Sequence, residues 1–369
     1  MSGEKVIVAM SGGVDSSVAA CLLKQQGYQM LGVFMCAGLG PAAPGGGPPK
    51  CCSPQDSASA RQVARQLDFP FAVLDFAADF QRLIDHFCAE YGRGRTPNPC
   101  VLCNRDLKFG RLFAYADAMG ARYVATGHYA RVEWAAGRWR LKRGLDRTKD
   151  QSYFLFPIAP ERLDRVRLPL GEMQKTDVRA LARDLGLPVH DRPESQDVCF
   201  VGGTVGDLVR ERRPDLVRPG PILDTDGREL GRHEGIVNFT IGQRRGLGVA
   251  VGEPRYVVAI RASDAAVIVG PAEALRSAGL VAEDVVWHER PPAEPVRADV
   301  QIRYRHPAAP AWLTRLDDAA APAAPAGRAE VRFDEPQTSV APGQAAVFYR
   351  DDRVLGGGWI AGGAAPGPP

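Results

Sequence analysis

Hydrophobic runs change spacing part-way along the chain. Lys5–Ala9 is short and rich in β-branched residues, the pattern of a strand buried on both faces. A glycine-bearing turn, Met10–Asp15, follows it. Ser16–Gln26 then carries apolar Val18, Leu22 and Leu23 at helical spacing and stops at Gly27. Tyr28–Met35 predicts a second strand, Ser53–Leu67 a helix, Phe71–Asp75 a third strand and Ala78–Tyr91 a helix. Gly92–Pro99 reads as a loop, Asn104–Met119 as a helix and Tyr123–Thr126 as a strand. This alternation predicts an α/β fold, a doubly wound parallel sheet. Pro169–Leu187 contains a further helix capped by Gly186. Beyond about residue 205 long helices give way to short alternating runs at Tyr256–Ile260, Ala266–Val269, Val296–Tyr304, Glu330–Phe333, Ala345–Tyr349 and Val354–Ile360. Turn residues separate these runs, the signature of small β domains ending in a barrel. The expected organisation is therefore an α/β domain over 1–205, a small central β-rich domain over 206–277 and a C-terminal β-barrel over 278–362. Residues 37–49 read as a flexible insertion, Ala319–Gly327 as a long exposed loop and 363–369 as a disordered tail.

Composition narrows the function class. No run approaches the ~18 apolar residues that cross a bilayer, which excludes a helical membrane protein. The N-terminus has no long apolar segment with a small-residue cleavage site, so a cytoplasmic protein is expected. A formal charge of +3 decides nothing about partners. The basic residues are mostly arginine, enriched together with Ala, Gly and Pro, so most reflect genome composition. The eight cysteines, at 21, 36, 51, 52, 88, 100, 103 and 199, all precede residue 200. Clustered thiols in a cytosolic chain point to redox, metal or nucleophilic chemistry, not to a disulfide scaffold.

Ser11-Gly12-Gly13-Val14-Asp15-Ser16-Ser17 lies between the first strand and the first helix. Its glycines let backbone N–H groups approach an anion, and the helix N-terminus adds partial positive charge. Asp15 does not suit direct phosphate binding; it suits a Mg²⁺ ligand or a helix cap. The loop is neither a Walker loop nor a Rossmann fingerprint. It resembles the loop of the N-type ATP pyrophosphatases, which implies cleavage of ATP to AMP and pyrophosphate to activate a carbonyl oxygen as an adenylate.

Cys100-Val101-Leu102-Cys103 sits where a loop enters a helix, a position that favours a thiolate, with Arg105 and Lys108 as nearby cations. Cys199 is isolated. Cys21 and Cys88 lie on helix faces and read as buried hydrophobes, as does Cys36. A C-x-x-C pair is also half a zinc site, but no second pair has zinc-like spacing and no His flanks Cys103. The adjacent Cys51 and Cys52 have no assigned role.

The ordered set of segments 9–17, 96–109, 127–131, 149–155, 194–200, 239–248 and 341–360 resembles the bacterial tRNA-specific 2-thiouridylases over essentially the whole chain. The resemblance implies an ATP-dependent sulfurtransferase that adenylates the C2 oxygen of the wobble uridine and replaces it with sulfur. It implies Cys103 as nucleophile and Cys199 as the persulfide carrier. It places ATP against Ala9, Met10, Ser11, Gly12, Gly13, Val14, Asp15, Ser16, Met35 and Gly127, and the target base against Asn98, Pro99 and Cys100. It implies tRNA contacts at His128, Lys149, Asp150, Gln151, Arg303, Tyr304 and Gln344. ATP and Mg²⁺, a tRNA with a wobble uridine, and a persulfide donor (a cysteine desulfurase or sulfur relay protein) are the implied cofactors and partners of a monomer. Cys100 stands where some family members carry Asp, so Cys100, Cys103 and Cys199 also form a candidate iron–sulfur ligand set. Other N-type ATP pyrophosphatases, such as argininosuccinate or GMP synthases, would not need the Cys103/Cys199 pair. A non-catalytic RNA-binding protein would need neither Asp15 nor the thiols.

Overall fold

The computed structural model describes residues 3–38, 53–192, 198–249, 252–316 and 327–364. Cys51, Cys52, residues 194–197 of the Cys199 segment and most of the expected insertion lie outside them. The chain divides into two compact units: residues 1–83, 100–202 and 352–354, and residues 84–99, 203–351 and 355–369.

In the first unit β1 (Lys5–Ala9), α1 (Val14–Gln25), β2 (Gln29–Cys36), α2 (Pro54–Gln66) and β3 (Phe71–Asp75) alternate as expected. α3 (Ala77–Gly92) begins here and ends in the second unit. Next come α4 (Pro99–Leu102), a π-helical stretch (Cys103–Arg111), α5 (Leu112–Ala118) and β4 (Tyr123–Ala125). β5 (Ala130–Ala135), β6 (Arg138–Arg143), α6 (Ser152–Leu155), β7 (Val166–Arg167) and α7 (Lys175–Asp184) complete the unit. The sheet order is β3-β2-β1-β4-β7, with every pairing parallel. The strand order reverses between β1 and β4, which opens a crevice at their carboxyl ends, where α/β folds bind ligands. Val6, Val8, Val18, Leu23, Phe34 and Val63 form the core beneath it. Cys21 and Cys88 are buried, and burial raises both thiol pKa values, as expected for inert core cysteines.

The second unit holds α8 (Val205–Arg212) and a sheet of β8 (Gly220–Leu223), β9 (Glu229–His233), β10 (Tyr256–Arg261) and β11 (Ala266–Gly270) in the order β10-β11-β8-β9. It then forms a barrel from β12 (Arg276–Trp287), β13 (Val296–Gln301), β14 (Ala309–Arg315), β15 (Gly327–Thr338), β16 (Ala345–Arg350) and β17 (Arg353–Ala364). These strands run β12-β15-β14-β13-β16-β17, and β12 pairs with β17 to close the ring. The doubly wound sheet, the central β sheet and the terminal barrel are thus all present.

Six expectations need correction. α1 starts at Val14, not Ser16, because Gly13 serves as its N-cap. The helix expected from Asn104 starts at Pro99, since proline's fixed φ suits a first helical position. The strand expected over Val296–Tyr304 stops at Gln301, whose side chain donates to the carbonyls of Arg303 and Tyr304 (3.1 and 2.6 Å) and folds them into a turn. Ala37, at the start of the expected insertion, is buried. Gly363 and Ala364 belong to β17 and pair with Leu280 and Gly279, so the tail cannot begin before residue 365. Gly327 likewise opens β15 and is not loop.

Candidate active site

The loop Ser11–Ser17 leaves the carboxyl end of β1 at the crevice. Gly12 has φ +76, and a Cβ there would lie 2.3 Å from the Asp56 carbonyl oxygen, so only glycine fits. Gly13 caps α1 without any side-chain hydrogen bond, which leaves the first N–H groups of the helix directed outward. Ser16 and Ser17 donate back to the Gly13 carbonyl (3.2 and 2.8 Å), and Ser11 N–H donates to Ser16 Oγ (3.1 Å), which sets the curl. Arg192 clamps the loop from outside, donating to the Gly12 carbonyl (2.8 Å) and to Asp56 (2.6 Å). Gly127, just past β4, lies against α1: a Cβ there would stand 2.8 Å from Asp15 C and Ser16 N. Met10 is buried and Met35 half-buried, at the ends of neighbouring strands.

Asp15 is the charged centre of the loop. Lys175 Nζ donates to both its oxygens (2.6 and 2.8 Å), and Tyr129 OH donates to Oδ1 (2.7 Å). Lys175 opens α7, and its backbone N–H donates to Asp146 (3.0 Å). Burial works to raise the pKa of Asp146. Hydrogen bonds from the Thr148 hydroxyl and from the N–H groups of Lys175, Thr148 and Lys149 outweigh burial and hold the carboxyl below the usual range. Gln151 grips Tyr129 by both backbone groups: its N–H donates to the Tyr129 carbonyl (2.8 Å) and its Oε1 accepts from the Tyr129 N–H (3.0 Å).

Cys103 opens the π-helical stretch, one turn inside a helix that begins at Pro99. Such stretches are rare and concentrate at functional sites. Cys100, in the first turn, is exposed; Cys103 and Cys199 are half-buried. Both cysteines of the C-x-x-C thus lie near the helix start, Cys100 closer to it than Cys103. Asn104, next to Cys103, is buried with Oδ1 lacking a hydrogen-bond partner. Among the described residues no three His, Cys, Asp or Glu side chains gather as a metal site, so Cys100, Cys103 and Cys199 are not assembled as cluster ligands. No described helix is long and apolar enough to cross a membrane.

Family models match along the chain: a tRNA methyl transferase HUP domain over residues 4–203, a tRNA methyl transferase PRC-barrel domain over 207–271 and an aminomethyltransferase beta-barrel domain over 277–360. The tRNA-specific 2-thiouridylase MnmA of Rhodopirellula baltica is 45% identical over 388 residues, covering 96% of each chain. That of Syntrophotalea carbinolica is 49% identical over 360 residues, covering 96% of this chain and 98% of the relative. The chain belongs to the tRNA-specific 2-thiouridylase family.

Most of the RNA-facing positions that this family implies have internal work. His128 is buried, with Thr126 Oγ1 at 2.7 Å from Nδ1 and Lys108 Nζ at 3.5 Å from Nε2. Burial first, then the Lys108 ammonium, pushes its pKa well below the ordinary histidine value, so the ring is neutral. Asp150 is buried and accepts from Gly144 N–H (2.9 Å), Ser152 N–H (3.1 Å), Ser152 Oγ (3.0 Å) and Arg143 (3.1 Å). In the second unit Gln344 Nε2 donates to the Thr96 carbonyl (2.9 Å), and Thr96 N–H donates to the Pro342 carbonyl (2.7 Å). The segment leading to Asn98 and Pro99 is thus fastened to a barrel turn. Lys149 and Tyr304 remain half-exposed and Arg303 is exposed. The sequence reading missed Tyr129, Asp146, Lys175, Arg192 and Asn104. Their roles come from approaches across the fold, Lys175 meeting Asp15 from 160 residues away, and no local pattern marks them.

Proposed function

We propose that this chain is an ATP-dependent tRNA sulfurtransferase that converts the wobble uridine of tRNA anticodons to 2-thiouridine. The observation that carries the reading is the uncapped α1 N-terminus at the sheet's switch point, with Asp15 gripped by Lys175 and Tyr129, in the same unit as Cys103 and Cys199.

The chemistry follows from the substrate. A ring carbonyl oxygen is a poor leaving group. Attack of the uridine C2 oxygen on the α-phosphorus of ATP expels pyrophosphate and turns that oxygen into part of AMP. Gly12, Gly13 and the first N–H groups of α1 suit the departing pyrophosphate. Asp15 is the residue that would hold a divalent cation on the phosphates, which when bound supplies positive charge between their oxygens. Reaching the base requires it to leave the anticodon stack. Asn98, Pro99 and Cys100 are the residues proposed to receive it, with Lys149, Arg303 and Tyr304 engaging phosphate and neighbouring bases.

Sulfur arrives on Cys199 as a persulfide, loaded by a donor protein. Its terminal sulfur attacks C2 and AMP leaves. The Cys103 thiolate then attacks Cys199 Sγ, so the C2-bound sulfur departs as the thione and a Cys103–Cys199 disulfide remains. A two-electron dithiol reductant returns the two thiols. We take the persulfide route over the alternative of an iron–sulfur carrier on Cys100, Cys103 and Cys199, because it needs only the two thiols Cys103 and Cys199. Full activity of iron-free protein supports it, and activity that strictly follows iron content overturns it. The name methyl transferase attached to the matched family models implies different chemistry, but the pyrophosphatase-like loop and paired thiols serve sulfur transfer.

The deciding experiment incubates the protein with unmodified tRNA, ATP, Mg²⁺ and a persulfide source, and analyses nucleosides by mass spectrometry. 2-Thiouridine and tRNA-dependent ATP–pyrophosphate exchange are expected. Normal 2-thiouridine in cells lacking the protein would overturn the reading.

A further inference from the structure

Asp15 poses an electrostatic problem for a triphosphate site. It is the second residue of α1, and its negative charge stands in the loop that must receive a polyanion. The structure meets this with Lys175. Its side chain is only 9% exposed, its ammonium grips both Asp15 oxygens, and it lies 5.5 Å from the Tyr129 ring centre. A lysine buried this far must be paired to stay charged. Its backbone is fixed, because Lys175 is the first residue of α7 and its N–H is held by Asp146. Any movement of the ammonium therefore comes from side-chain rotation about this fixed backbone.

A second observation points to an anion at the same place. α7 packs against α1, and its N-cap residue Gln174 makes no side-chain capping bond, although the Asp146 carboxylate accepts from the Lys175 N–H. Asp15 and Lys175, in contact, lie in the first turns of the two helices. Two partially positive helix ends thus converge on one ion pair. Asp146 takes one N–H of α7 and Lys175 matches Asp15, so the positive charge remaining at the two helix ends suits a further anionic ligand.

We propose that Lys175 is the resident cation of the triphosphate pocket: it neutralises Asp15 before nucleotide binds, and its ammonium passes to an oxygen of the pyrophosphate half of ATP when a divalent cation takes the carboxylate. Asp146 acts as its positioning residue by anchoring the start of α7. The inference rests on the loop being an ATP site, as proposed above.

Calorimetric titration of the full-length protein with ATP, AMP and Mg²⁺ tests this without turnover. Lys175→Met should weaken Mg²⁺–ATP binding by about 10- to 100-fold, the scale of one charge-assisted hydrogen bond. AMP, which lacks the pyrophosphate half, should bind within about 2-fold of wild type. Asp15→Asn should lose the stimulation of ATP binding by Mg²⁺. The decisive arm is Asp15→Asn/Lys175→Met against Asp15→Asn alone. If Lys175 reaches phosphate, its removal still weakens ATP binding when no carboxylate needs neutralising. If the loss vanishes in that background, Lys175 is only a counter-ion and the proposal fails. Equal weakening of AMP and ATP by Lys175→Met would mean a damaged pocket and would also overturn it. The double variant carries no unmatched Asp15 charge, so it serves where Lys175→Met does not fold. Absence of ATP binding by the wild-type protein would instead remove the ATP reading itself.

Discussion

Replacing Gly12 by alanine separates a glycine that the fold requires from one that it merely tolerates. At φ +76 a side chain costs roughly 1–2 kcal/mol through contact with the backbone. The new Cβ would also stand 2.3 Å from the Asp56 carbonyl oxygen. Relief requires a shift of about 1 Å, since ordinary packing keeps such atoms beyond ~3.3 Å. Asp56 cannot move alone. It forms the capping box of α2 with Ser53 and receives Arg192 at 2.6 Å. Losing the capping box adds about 1 kcal/mol. Gly12→Ala should therefore cost ~2–4 kcal/mol, lowering Tm by roughly 5–15 °C. ATP binding should fall with it, because the curl that aims the α1 N–H groups is what shifts. Gly13→Ala is the control: its Cβ meets nothing closer than Ser11 Oγ at 3.5 Å, so stability should stay within about 0.5 kcal/mol. Gly127→Ala falls between them, with no φ penalty but with Asp15 and Ser16 backbone atoms at 2.8 Å. Differential scanning calorimetry and ATP titration on the three variants read both effects. Equal stability of Gly12→Ala and Gly13→Ala would refute the reasoning.

Cys199→Ser should yield no 2-thiouridine yet retain tRNA-dependent ATP–pyrophosphate exchange, because serine cannot carry sulfane sulfur while the adenylation site is untouched; thiolated product in nucleoside mass spectra would refute the persulfide route. Asp150→Asn should cost ~2–4 kcal/mol, since the amide turns a donor toward groups that already donate; a variant with wild-type Tm and lost tRNA binding would show that Asp150 serves RNA and not its own loop. His128, held neutral by burial, takes up a proton on unfolding, so the unfolded state binds more protons below its ordinary pKa near 6.5. Stability should therefore fall by up to ~1.4 kcal/mol per pH unit as pH drops below 6.5, with His233, also lowered by burial, adding to the slope. His128→Asn should flatten that slope in urea titrations at pH 5 to 7, and an unchanged slope would refute it.

The parts of this fold that were legible in sequence are those fixed locally. β1 and β2 announce themselves because strands covered on both faces are apolar nearly throughout, and the edge strand β3 by its short apolar run Phe71–Leu74. The hairpin of β5 and β6 was missed because its strands are rich in arginine, and charge alternation is a weak strand signal. Its one clear mark was the pair Ala136-Gly137, whose φ values of 49 and 77 fit a tight two-residue turn. The glycine loop was legible as an anion cradle from its own residues. What the cradle rests on was not: Arg192, Tyr129 and Lys175 are ordinary surface-type residues in sequence and gain meaning only where the chain returns to Asp15.

The same distinction sorts the residues implied for tRNA recognition. Asp150 and Gln151 spend their side chains on the 144–152 loop and on Tyr129. Gln344 spends its amide on Thr96. These groups shape backbone, and a carboxylate with four internal donors has little left to offer a phosphate. Arg303, by contrast, is exposed and Lys149 half-exposed, and both carry the charge that phosphate contacts need. The loop with Lys149 is also tied to the nucleotide site twice, through Asp146 to Lys175 and through Gln151 to Tyr129, and both ties end on Asp15. If Lys149 meets an RNA phosphate, as proposed above, that phosphate would act on a loop whose internal bonds lead to Asp15 in the proposed ATP cradle. Under the proposed function, that connection would give tRNA-dependent adenylation a physical route within a single unit of the chain.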